Sequence, residues 1–224
     1  MRVILFGATG MIGQGVLREC LLDSRVTRVL SVGRAASGKT HAKLEDLVLR
    51  DLTDYSAVME RLAGLDACFF CLGVSSAGLT EAQYRAITVD LTMAAASALL
   101  RASPGVRFNF ISGAGSDSSE QGRTMWARVK GRAENALLAL AFAQVTIFRP
   151  GVIQPLHGIT SRTPVYRVLY TVLAPLIPLV EAIAPGQITT TERVGRAMIN
   201  VAAHGSPKRI LESADINAAA ADRM

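Results

Sequence analysis

The sequence predicts an α/β protein: a doubly wound parallel sheet with helices on both faces and a small, mostly helical C-terminal region. Short apolar runs alternate with amphipathic, helix-spaced stretches from residue 2 to about residue 148, as in a sheet whose strands are joined by helices. The runs are continuously apolar rather than alternating, which strands covered on both faces require. A glycine-rich turn, Gly7-Ala8-Thr9-Gly10-Met11-Ile12-Gly13, stands directly between the first run and the first helical stretch.

The first strand is expected over Arg2 to Phe6, and a helix over Met11 to Leu22 with Ile12, Val16, Leu17 and Leu21 at helical spacing. Val26 to Val32 reads as the second strand and Leu47-Val48-Leu49 as a short third. Ser56 to Leu62 reads as a helix and Ala67 to Leu72 as a fourth strand. A long helix is expected from Glu81 to Leu100, opened by Thr80 with Gln83 three residues on, a capping box that satisfies free backbone N–H groups. Val106 to Ile111 gives a fifth strand, Lys130 to Ala143 a helix and Val145 to Phe148 a sixth strand.

The last third is patterned differently. Thr160 to Ala184 is apolar, but Arg167 and Glu181 lie within it and Pro175 and Pro178 break its second half, so it does not suit a membrane-spanning helix. One reading of 160–184 is a membrane-surface or partner-binding segment. The other is a helical lid over a ligand cleft, or a dimer contact. Thr191 to Ala203 reads as a helix, and the alanine-rich stretch from Ser213 carries no readable chemistry. No repeat or linker divides the chain, so residues 1–224 are expected to form one domain, with about 155–190 a lid or interface segment within it.

Half of the residues are hydrophobic and 19% are charged, which excludes a disordered chain. The net charge of +6 comes from scattered cations without interleaved aromatics, so no nucleic-acid partner is expected. The N-terminal apolar run is too short for a signal peptide, and a cytoplasmic location follows as the expectation. Cys68-Phe69-Phe70-Cys71 spells C-x-x-C inside a strand, where residues three apart point to opposite faces. That spacing does not suit a disulfide. His41, His157 and His204 stand apart from one another, and no metal is expected.

The glycine turn is where phosphate chemistry needs it. Gly7 lets the chain leave the strand sharply, Gly10 lets backbone approach a pyrophosphate, and Gly13 lets the helix lie close to the sheet. The helix N-terminus supplies free N–H groups and a partial positive charge. Such a turn at residue 7 predicts a Rossmann-type nucleotide fold. The second strand ends Leu30-Ser31-Val32-Gly33-Arg34, without the acidic residue that bonds a ribose 2′-hydroxyl. Arg34 is suited to a 2′-phosphate instead, with Lys39 and Lys43 adding to its field. NADP(H) is therefore expected over NAD(H).

On these residues the chain resembles the short-chain dehydrogenase/reductase superfamily, in its extended or atypical branch with a G-A-T-G-x-x-G loop. More narrowly it looks like the nucleoside-diphosphate-sugar-epimerase-like proteins related to the human Tat-interacting oxidoreductase. The resemblance covers roughly residues 1 to 200 and implies that Asp51-Leu52 lies by the adenine. It implies that Cys71-Leu72-Gly73 lines the nicotinamide side, that Ser112 in Ile111-Ser112-Gly113-Ala114-Gly115 orients substrate, and that Lys130-Gly131 opens the next helix. Within Arg149-Pro150-Gly151-Val152-Ile153, it implies nicotinamide contacts at Pro150, Gly151 and Val152.

The family's active site carries Tyr-x-x-x-Lys, the tyrosine giving the proton and the lysine holding the cofactor ribose. Here Trp126-Ala127-Arg128-Val129-Lys130 keeps the lysine and puts tryptophan in the tyrosine position. An indole N–H donates a hydrogen bond but is no acid near neutral pH. Trp126 is expected beside the nicotinamide pocket, on one helical face with Lys130 if that turn is helical. Ser116, Ser118 and Ser119 crowd the preceding loop, either as a proton relay or as a flexible polar loop. Three functions stay open: an NADP(H)-dependent oxidoreductase acting on an unknown small carbonyl or alcohol, a catalytically silent NADPH-binding regulatory protein, and a sugar-nucleotide epimerase. A homodimer built on the helix Glu81 to Leu100 and the helix at Lys130 is also expected, because Ala94-Ala95-Ala96-Ser97-Ala98 offers a small-residue surface.

Overall fold

The computed structural model describes residues 1–160 and 186–221. The apolar segment 160–184, read above as lid, membrane-surface or partner-binding, therefore lies outside the described residues from 161 onward.

Among the described residues, seven parallel strands form the main sheet in the order β3-β2-β1-β4-β5-β6-β9. They are β1 (Arg2–Phe6), β2 (Arg28–Gly33), β3 (Leu44–Val48), β4 (Ala67–Phe70), β5 (Arg107–Ile111), β6 (Gln144–Arg149) and β9 (Ile210–Glu212). β7 (Val152–Gln154) and β8 (Ile188–Thr190) pair separately, also in parallel. Among the described residues the α-helices are α1 (Met11–Leu22), α2 (Glu81–Arg85), α3 (Leu91–Ala102), α4 (Met125–Leu138), α5 (Thr191–His204) and α6 (Ser213–Ala221).

Successive side chains of each strand serve opposite faces. Ile4 and Phe6 join Leu30, Phe70, Phe108 and Phe110 in the core beneath α3 and α4, whereas Val3 and Leu5 join Val29, Phe69 and Phe148 beneath α1 and α5. Phe70 lies at the middle of the first core, 5.0 Å from Phe6 and 5.9 Å from both Phe108 and Phe110 between ring centroids. Cys68 faces that core and Cys71 the other, as a strand requires, and both are free thiols whose pKa is pushed up by burial.

Several boundaries differ from the sequence expectation. The third strand begins earlier, at Leu44, because it pairs with β2 from Val29 onward. Ser56–Leu62 is a 3-10 helix. The expected long helix keeps its capping box at Thr80 but contains a π-helical turn, Ala86–Asp90, between α2 and α3. α4 begins at Met125 rather than Lys130, which places Trp126 and Lys130 one turn apart on the same helix. The alanine-rich stretch contains α6, preceded by β9, which extends the sheet beyond β6. Ala95, Ala96 and Ala98 are buried in the chain's own core, so the small-residue surface expected to meet a second copy is used within the chain.

Candidate functional site

The turn from β1 into α1 is shaped by two contacts that only glycine permits. A Cβ on Gly7 (φ +81°) would lie 2.7 Å from the Cys71 carbonyl, and a Cβ on Gly13 would lie 2.0 Å from the Gly7 oxygen. Gly10 differs, since a Cβ there would meet only the Gly7 oxygen at 3.4 Å. Its missing side chain leaves room outward rather than inward. Gly10 is also the N-cap of α1, with no side-chain cap and no acidic residue in the first turn. The N–H groups at the start of α1 are thus left without a side-chain acceptor, in the arrangement that attracts a phosphate. The Gln14 amide donates to the Thr9 carbonyl at 3.2 Å and steadies the turn.

Arg34 follows the end of β2, exposed and with no hydrogen bond or ion pair among the described residues. Asp46 of β3 accepts from the Ser37 N–H at 3.1 Å and from the Ser37 hydroxyl at 2.9 Å, fixing the loop that carries Arg34 and Lys39. Lys43 corrects the sequence reading. Its ammonium donates to the carbonyls of Leu21 (3.1 Å) and Asp23 (2.8 Å) at the end of α1, so it completes a helix C-terminus and is not available to a 2′-phosphate. A cleft of about 400 Å³ starts at Ala8 in the glycine turn and runs along Gln14, Leu17 and Arg18 between Lys39 and Ile159.

After β3, Asp51 accepts from the Thr53 N–H (2.8 Å) and hydroxyl (2.7 Å), which hold its carboxyl below the usual range, and Leu52 is buried in the core. Past β4, Leu72 is half-buried against the glycine turn while Gly73 faces open space. Past β6, Pro150 is buried and its carbonyl accepts from Ala114 N–H at 3.0 Å. Gly151 N–H donates to the Ser213 hydroxyl at 2.9 Å, and Val152 is exposed.

Ser112 and Lys130 meet at the end of β5. The Lys130 ammonium donates to the carbonyl of Ile111, the last residue of β5, at 3.3 Å and lies 5.2 Å from the Phe110 ring. Burial pushes its pKa down to about 8, against the pull of Glu134 one turn further along α4. Ser112 is buried; its hydroxyl donates to Glu134 and lies 2.9 Å from the Ser116 hydroxyl. Glu134 is fully buried and paired with Arg149, whose Nε lies 3.1 Å and 3.2 Å from its two carboxylate oxygens. Trp126 is half-buried and its ring would touch a Cβ on Gly115 at 3.6 Å, so it leans on the loop that leaves β5.

The glycine turn, Arg34, Asp51, Leu72-Gly73, Ser112 and Pro150–Val152 all follow C-terminal strand ends, and Lys130 reaches the same edge through Ile111. The sequence reading missed Glu134. Its signal was a carboxylate on the stripe Ala127, Gly131, Glu134, all three buried. It also missed Ser213 and Glu212, which reach the site through Gly151 and Arg149.

β1 and β4 are neighbours whose connections leave to opposite sides. The strand order therefore opens a crevice where a dinucleotide lies across the sheet, and the molecule is of the Rossmann dinucleotide-binding class. Residues 7–163 match the NAD(P)H-binding family. The chain belongs to that family. A relative from Emericella nidulans named mitochondrial protein fmp52 is 32% identical over 158 residues, spanning 67% of this chain and 66% of the relative, just under two thirds of its length. A short-chain dehydrogenase/reductase-family oxidoreductase from Burkholderia thailandensis superposes with a TM-score of 0.68 at 16% identity, covering 97% of this chain and 92% of that one. MoeE5, solved in complex with UDP-glucose and NAD, superposes with a TM-score of 0.68 at 18% identity, covering 95% and 75%. These two likenesses concern the fold. The cytoplasmic expectation is overturned, because the Emericella relative and others at about 30% identity are named as mitochondrial proteins. No helix among the described residues is long and apolar enough to cross a membrane.

Proposed function

We propose that this chain is an NADP(H)-dependent oxidoreductase that moves hydride to or from a small carbonyl or alcohol, with Trp126 at the position where its superfamily carries tyrosine. The observation that carries the reading is the uncapped N-terminus of α1 behind Gly10, with Arg34, exposed and without a partner among the described residues, at the neighbouring strand end. Gly7 to Gly13 would hold the pyrophosphate. Arg34 and Lys39 would hold the 2′-phosphate, while Lys130 and Pro150 to Val152 would hold the nicotinamide half. When bound, the dinucleotide supplies or accepts the hydride. Lys130 Nζ, with a pKa near 8, is the side chain of this group able to take or release a proton close to neutral pH. The names of the relatives support a mitochondrial location.

A second reading, an NADPH-binding protein without turnover, has its own support. The Ser112 hydroxyl is committed to Glu134, and tryptophan cannot act as the acid. Epimerisation is the weakest of the three, since it also leans on the missing tyrosine.

Titrating wild type and Arg34→Ala with NADPH and NADH tests the cofactor assignment. NADPH affinity should fall about tenfold or more on losing a charge-assisted contact, with NADH little changed. An unchanged affinity ratio removes Arg34 from the role. A carbonyl screen of wild type beside Trp126→Tyr separates the first two readings. Turnover by wild type supports the oxidoreductase, whereas turnover gained only by the tyrosine variant supports the silent binder.

A further inference from the structure

We infer that Glu134 and Arg149 form a positioning pair, holding the loops that leave β5 and β6 in the shape needed by the nicotinamide half of the ligand. The inference rests on the dinucleotide reading above and concerns residues that would not touch the ligand. By the two-half logic of the fold, the nucleotide not held by α1 and the end of β2 lies over the ends of β4, β5 and β6. At that place the ends of β5 and β6 converge on one buried carboxylate of α4.

Glu134 has no exposed surface, and it receives the Ser112 hydroxyl from the first residue after β5 and the guanidinium of Arg149 from the last residue of β6. Arg149 in turn donates to the Ser118 hydroxyl at 2.7 Å and lies 3.7 Å from Glu212 at the end of β9. The two loops are tied once more outside the pair, through the Ala114 N–H and the Pro150 carbonyl. Lys130 shares this corner, one turn before Glu134 on α4, so the same carboxylate is the anion set against its buried ammonium. A carboxylate is costly to bury. Purely structural packing would be served as well by an apolar residue between Ala133 and Leu137. The fork of Arg149 on Glu134 gives something packing cannot, a fixed direction for two loop ends at once.

The test compares two ligands that share one half. Adenosine 2′,5′-bisphosphate carries the groups assigned to Arg34 and the glycine turn and lacks the nicotinamide ribose, whereas NADPH carries both halves. In Glu134→Gln, NADPH affinity should fall about tenfold while affinity for the bisphosphate stays within about twofold. Arg149→Lys, which keeps the charge but loses the fork, should show the same selective loss to a smaller degree. Thermal unfolding establishes that each variant is folded. If Glu134→Gln does not fold, Arg149→Lys and Ser112→Ala give the same ratio. Equal weakening of both ligands, or an unmoved ratio in the folded variants, overturns the positioning role. So does a wild type that binds NADPH no better than the bisphosphate. A wild type that binds neither ligand overturns the dinucleotide reading itself, and with it this inference.

Discussion

Lys130 carries its ammonium into the packed junction of α4 and β5, where loss of water lowers its pKa to about 8 while the carboxylate of Glu134 pulls the other way. Below pH 8 the lysine is charged in both the folded and unfolded chain, and the folded state bears the cost of the buried charge. Between about 8 and 10.5 the unfolded chain still holds the proton and the folded one has released it, so stability rises with pH across that window. Lys130→Met removes the cost. Its melting temperature at pH 7 should exceed that of wild type by a few degrees, at about 2–4 °C per kcal/mol for a domain of this size. The excess should shrink toward pH 10, and NADPH binding should weaken in the same variant. A melting temperature that falls at pH 7 would mean that the bond to Ile111 outweighs the desolvation. Nothing in the residue series announces this, since a lysine near a helix start is usually solvated. Its burial follows from where α4 lies on the sheet.

α4 shows how an element can be legible in type and misplaced in extent. Thr124 stands at its N-cap but makes no side-chain cap, so the start carries no strong local mark, and the first turn Met125-Trp126-Ala127 is set by packing. The glycine turn after β1 was legible because its requirements are steric and local: Gly7 and Gly13 press on backbone. Gly131 has the same character, though only its tertiary neighbour reveals it. A Cβ there would lie 1.7 Å from the Asp117 carbonyl oxygen, so α4 runs directly against the loop that leaves β5. Gly131→Ala gains up to about 1 kcal/mol of helix propensity. Displacing the Asp117–Ser118 backbone should still leave the variant less stable by about 1–3 kcal/mol. A urea midpoint equal to or above wild type would show that the loop gives way freely. The π-helical turn between α2 and α3 had no sequence mark at all, because one extra residue per turn changes no composition.

At the scale of the whole molecule, the parallel sheet was foreshadowed by alternation, whereas the order of its strands and its far edge were not. Ile210-Leu211-Glu212 is three residues long and becomes a strand only by pairing with β6. The half of the site served by α1, Arg34 and Asp51 is built from the first 52 or so residues, which contact one another at short sequence separation. The other half closes only when Ser213 reaches Gly151 and Glu212 reaches Arg149, across 62 and 63 residues. Long closures of this kind form late and open early. In amide hydrogen exchange, β1 and β4 should therefore be protected to the level of global unfolding. The β6–β9 edge should exchange through a smaller opening that leaves the glycine turn intact. Equal protection in the two halves would show that the sheet opens as one unit. With the expected, unequal protection, the two halves differ in lifetime as well as in chemistry: a steady seat beside the glycine turn, and next to it one that is remade each time β9 returns to its place.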